Sequence, residues 1–106
     1  MTISPIDLLR AGLSAISGVE LTTSRFGSGT NSAWRIGGRE FAHLHSATLL
    51  DLRLPRSVQS RLRADPRAHF RAARSEWLEF EFHTEQDVSD LLALAREAVM
   101  TARGTA

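Results

Sequence analysis

A chain of 106 residues, 42% of them apolar, can bury one core, so residues 1–106 read as a single domain. It contains no cysteine, lysine or tyrosine, which excludes disulfides, thiolate nucleophiles, Schiff-base or Walker-type lysines and phenolic acid catalysis. All 13 basic residues are arginine and the net charge is +1, so the pI near 9.0 reflects late-titrating guanidiniums rather than a basic surface.

The chain opens with Ser4-Pro5-Ile6-Asp7, a helix start with Ser as N-cap, Pro at the first helical position and an acid at the positive end of the dipole. Ile6, Leu9, Leu13 and Ile16 recur at helical spacing, and Gly18 supplies a stop. Val19–Thr23 alternates as a first strand, and the Gly-rich run from Gly27 to Ser32 is a flexible hairpin connection without the context of a phosphate cradle. Ala33–Ile36 is a second strand, Gly37-Gly38 a tight turn, Arg39–His45 a third strand and Leu49–Leu54 a fourth. Pro55 opens a short helix with Val58 and Leu62 inward, which Asp65-Pro66 ends. Residues 66–75 fit either a helical turn or an irregular loop pinned by Phe70. Trp77–Phe82 is a fifth strand, with Leu78, Phe80 and Phe82 on one side and Trp77, Glu79 and Glu81 on the other. Thr84-x-x-Asp87 is a capping box with Asp in place of Glu, followed by the stripe Val88, Leu91, Leu92, Ala95 and Val99; the tail after Arg103 is expected to fray.

The order α-β-β-β-β-α-β-α with short β–β links gives an α+β fold: an antiparallel sheet of about five strands with helices packed on one face. The other face is then polar or covered by a partner. With no leader-like segment and no apolar run of membrane-spanning length, the expectation is a cytoplasmic protein with no membrane partner.

The third and fourth strands hold most of the side chains capable of chemistry. Alternation puts Phe41, His43 and His45 on one face and Glu40, Ala42 and Leu44 on the other. A two-residue turn at Ser46-Ala47 pairs His43 with Leu50 and turns the histidines into the core. A three-residue turn at Ser46-Ala47-Thr48 pairs His43 with Asp51 and Phe41 with Arg53, leaving both imidazoles on the open face. The second is the better reading, because it buries Leu50, Leu52 and Leu54 with Ala42 and Leu44. A His43–Asp51 pair has the make-up of a general base held by a carboxylate. Two imidazoles at i and i+2 also suit a metal, with Asp51 or a fifth-strand Glu as third ligand. The sequence does not decide whether a metal or other cofactor is bound. The plain alternative is a surface ion pair worth under about 1 kcal/mol.

The string Gly38-Arg39-Glu40-Phe41-Ala42-His43-Leu44-His45, followed by Asp51-Leu52, Pro55-Arg56, His69, Trp77 and a closing helix at Asp87-Val88, resembles the small bacterial proteins of the luciferase-domain family. These are so labelled for their similarity to a domain of fungal luciferases. Ser46-Ala47-Thr48 departs from the Gly-rich turn of such proteins. The resemblance does not imply light emission, and the chain has no flavin or nicotinamide fingerprint.

Three readings of function follow. In the first, a small anionic or polar molecule is bound or transformed at the hairpin. His43 and Asp51 are the candidate catalytic pair, His45 and Trp77 contact the ligand, and Arg53 and Arg56 receive its anionic group. In the second, the run Arg53, Arg56, Arg61, Arg63, Arg67, Arg71 and Arg74 tracks a nucleic-acid backbone; the near-neutral total charge argues against it. In the third, the basic run and the acids from Glu76 to Asp90 pair across a homodimer without catalysis.

Overall fold

The first helix, α1 (Pro5–Ser14), begins where its sequence demands: the Ser4 hydroxyl accepts from the Asp7 backbone N–H and donates to the Asp7 carboxylate at 2.8 Å. In the computed structural model, which describes residues 3–23, 32–71 and 75–104, six strands and two further helices follow. They are β1 (Val19–Thr23), β2 (Ser32–Ile36), β3 (Arg39–Ser46), β4 (Leu49–Arg53), α2 (Arg56–Arg61), β5 (Ala68–Phe70), β6 (Trp77–Glu81) and α3 (Glu85–Ala102). The Gly-rich connection after β1 (residues 24–31) and Arg74 lie outside the described residues.

The fold is α+β, as the sequence indicates: one antiparallel sheet in the order β1-β2-β3-β4-β6-β5. A sixth strand is added to the five expected. Residues 68–70 form neither a helical turn nor a loop but an edge strand pairing Ala68 with Phe80 and Phe70 with Leu78. Gly37 and Gly38 both take positive φ, 59° and 77°, which the two-residue β2–β3 turn requires.

Leu9 and Leu13 of α1 and Val88, Leu91, Leu94, Ala95, Ala98 and Val99 of α3 pack on one sheet face. They meet Trp34, Ile36, Phe41, Ala42, Leu44, Leu50, Leu52, Leu78 and Phe80. The two helices approach closely at Gly12, where a Cβ would stand 2.5 Å from Leu92 Cδ1. Inside α2, Gln59 is buried and donates to the carbonyls of Leu54 and Ser75, fixing the short helix to the chain just after β4 and just before β6.

The strand β3 departs from strict alternation twice. Trp34 pairs with Ala42 but Arg35 with Glu40, so Phe41 is an extra residue. Leu44 pairs with Leu50 but Ser46 with Leu49, so His45 is another. The first bulge overturns the expected facing of Phe41 and Glu40. Phe41 and Ala42 are both fully buried in the core, and Glu40 is carried to the same face as His43. The second reconciles a two-residue turn at Ala47-Thr48 with the pairing of His43 and Asp51.

Arg67 ties β5 to α3. It reaches Asp65 at 2.8 Å and both Asp87 and Asp90 at 2.9 Å, with its guanidinium 4.9 Å from the centre of the Phe80 ring. Asp87 also closes the capping box with Thr84. The backbone N–H of His83 and the Arg67 guanidinium, aided by Thr84 and opposed by burial, pull the Asp87 carboxyl down to about 2. The Arg67 side chain likewise holds Asp65 low. Both carboxyls are depressed on folding, so their stabilisation is complete above the ordinary Asp value and is lost as pH falls below it, for Asp87 through about 2. Urea unfolding should therefore show wild-type stability declining as pH drops from about 4 toward 2. Asp87→Ala should cost about 1–2 kcal/mol at neutral pH and flatten that acid limb.

Candidate functional site

On the face opposite α1 and α3, one row of residues crosses five strands. The pairings Ala33–His43, His43–Asp51, Asp51–Glu79 and Glu79–His69 place them side by side. Same-face neighbours in such a row stand close enough for direct side-chain contact. At its centre Asp51 is fully buried, although it lies on the polar face. Three basic side chains converge on its Oδ2: His43 Nε2 at 2.6 Å, Arg71 Nη2 at 2.9 Å and His45 Nδ1 at 3.6 Å. Its Oδ1 is buried and has no hydrogen-bond partner among the described residues.

Burial by itself would push the Asp51 carboxyl up. The hydrogen bond from His43 and the charges of His43, Arg71 and His45 outweigh that cost and hold it below its ordinary value. Asp51 is thus an anion at neutral pH.

His43 is buried, not solvent-facing as the sequence suggested. Its Nε2 meets Asp51, and its Nδ1 lies 3.2 Å from Glu40 Oε2, a contact that exists only because the Phe41 bulge turned Glu40 over. Trp77 covers the His43 ring, with ring centroids 5.0 Å apart and planes tilted by 48°. His45 is half-exposed and stands between Asp51 and Glu79, whose Oε2 is 3.8 Å from Nδ1.

The structure therefore brings together His43, His45, Asp51 and Trp77. It does not bring the two arginines to them. Arg53 is held by Glu76 through Nη2 at 3.0 Å and Nε at 3.3 Å, and Arg56 lies on α2. Arg56 instead lines a cleft of about 710 Å³ between α2 and the end of β5, with Arg63, Arg71, Phe70 and the serines 57, 60 and 75. No acidic side chain among the described residues lines this cleft. Among the described residues neither Arg56 nor Arg63 has an acidic partner, whereas Arg53, Arg61, Arg67 and Arg71 are all paired within the fold.

Two residues of the site escaped the sequence reading: Arg71 and Glu40. Glu79 was anticipated as a fifth-strand Glu beside the histidines, since it alternates with Trp77. Arg71 follows an edge strand of three residues, and nothing local announces that register.

If Asp51 organises this face, Asp51→Asn strands Arg71 and His43 and should lower stability by roughly 2 kcal/mol in urea unfolding. His45→Ala, removing an exposed ring no closer than 3.6 Å to the carboxylate, should change it by less than about 0.5 kcal/mol. Equal effects would contradict that hierarchy.

No helix among the described residues is long and apolar enough to cross a membrane. No curated protein and no solved structure matches the chain. A family model does: the Luciferase domain aligns with residues 38–98, from the Gly-Gly turn through the bulged strand, the Asp51 row and most of α3. That match spans more than half of the chain and contains every residue of the site, so the chain belongs to the Luciferase domain family.

Proposed function

We propose that the chain binds a small molecule carrying an anionic group. That group sits in the cleft with Arg56, Arg63 and Arg71, and the rest of the molecule faces His43, His45 and Trp77. One observation carries the reading: Arg71 belongs to both places, lining the cleft while its Nη2 holds the buried Asp51 carboxylate. Two further guanidiniums without acidic partners beside it supply the charge, and planar forks of this kind suit phosphate or carboxylate. Phe70, 45% exposed, offers an apolar wall.

A buried ion cluster of this kind contributes little net stability compared with apolar packing, which favours a functional reason for keeping it. The alternative of a nucleic-acid interface finds less support, since the acids after residue 75 neutralise much of the arginine run internally.

The test is an NMR titration with inorganic phosphate and with phenyl phosphate. Saturable shifts are expected at Arg56, Arg63, Arg71 and the His43 ring, with phenyl phosphate binding more tightly because its ring meets Phe70. The Arg56→Ala/Arg63→Ala double variant should weaken binding by at least about tenfold. Unsaturable shifts, or an unchanged affinity in the double variant, would remove the proposal.

A further inference from the structure

Beside the anion cleft lies a second constellation. His45, Asp51 and Glu79 each offer one ligand atom, and these atoms all lie within 4.8 Å of one another. His45 Nδ1 is 3.6 Å from Asp51 Oδ2 and 3.8 Å from Glu79 Oε2. Donors around a tetrahedral zinc, at bond lengths of about 2.0–2.2 Å, stand about 3.3–3.6 Å apart, so small side-chain adjustments suffice. Within the cluster, the buried Oδ1 of Asp51 has no hydrogen-bond partner among the described residues, so this carboxylate keeps an oxygen with unused accepting capacity.

We propose that His45, Asp51 and Glu79 form a binding site for a divalent transition ion. One imidazole and two carboxylates suit zinc or manganese rather than a soft, thiolate-seeking ion. Each ligand comes from a different strand, β3, β4 and β6, so the sheet itself fixes their spacing. The His45 bulge sets the imidazole at the turn end of the row. His43 is not a ligand. Its Nε2 hydrogen-bonds to Asp51 and its Nδ1 meets Glu40, the support that a ligating carboxylate usually receives from behind. With His45 half-exposed, the site is open to solvent on one side, where water or an anionic group completes the coordination.

Arg71 is the internal competitor. Its Nη2 reaches Asp51 Oδ2 at 2.9 Å and its Nε lies 3.9 Å from Glu79 Oε1, so it lends a positive charge to the same two carboxylates. A metal ion displaces it toward the cleft it already lines. Metal binding and release of Arg71 are then one event, and a site of this design has a distinctive mutational sign: removing Arg71 strengthens it.

The experiment uses the untagged full chain, zinc titrated by calorimetry and manganese as a paramagnetic NMR probe. Manganese at substoichiometric amounts should broaden His45 and the backbone around Asp51 and Glu79 first. His45→Ala and Glu79→Gln, both at partly exposed positions, should each weaken zinc binding by at least about tenfold. Arg71→Met should tighten it by roughly tenfold, whatever it does to anion binding. The exposed His69–Glu81–His83 group is the rival, with contacts of 2.9 and 2.6 Å. If broadening centres there and is abolished by His69→Ala/His83→Ala, the proposal fails. It fails equally if His45→Ala and Glu79→Gln leave zinc affinity within about twofold, or if Arg71→Met weakens it. Phosphate binding by Arg56 and Arg63 is read separately in metal-free buffer, so loss of one result leaves the other standing.

Discussion

The extra residue at Phe41 is the constraint on which this face of the protein rests. A regular strand would send Phe41 and His43 to one side and Glu40 and Ala42 to the other. With the bulge, Phe41 and Ala42 enter the core together and Glu40 joins His43. The gain is twofold. A phenyl ring leaves water, worth about 2–3 kcal/mol when fully buried, and a second carboxylate reaches the imidazole that backs Asp51. A bulge that repositions a side chain next to a candidate site is a common device of antiparallel sheets.

Around it, charge is balanced at two levels. On the open face, two carboxylates side by side on β4 and β6 would repel, and Arg71 and the two histidines offset them. Toward the β5 edge, Arg67 does the same for three acids, Asp65 in the turn after α2 and Asp87 and Asp90 in the first two turns of α3. The first assembly is buried around Asp51 and opens beside a cleft, whereas the second lies over Phe80 and joins elements together. That contrast is why the first is read as a site and the second as structure.

Much of this was legible in the chain. The Ser4 cap, the Thr84–Asp87 capping box, the Gly-Gly hairpin and the inward Leu50, Leu52 and Leu54 all follow from local chemistry and period. The pairing of His43 with Asp51 followed from asking which register buries the leucines. The burial of His43 and the inversion at Phe41 were not legible, because a bulge is a tertiary compromise with no fixed composition. Phe41 stranded on a polar face was nonetheless a hint. The β5 edge was hidden by its shortness: three residues after a proline turn carry too little pattern to announce a strand, and their pairing with β6 is a tertiary contact. Arg71 went unassigned to the site for the same reason.

The two edges of the sheet are unequal. β5 exposes only three residues of backbone, with Arg67 before it, Arg71 after it and Pro66 upstream. A strand so short, flanked by guanidiniums and unable to extend through the proline, offers almost no template for an incoming chain. β1 is five residues long, with Leu21 more than half exposed. Among the described residues β1 is therefore the edge better suited to lateral pairing, and it stands at the end of the sheet away from Asp51 and the arginine cleft.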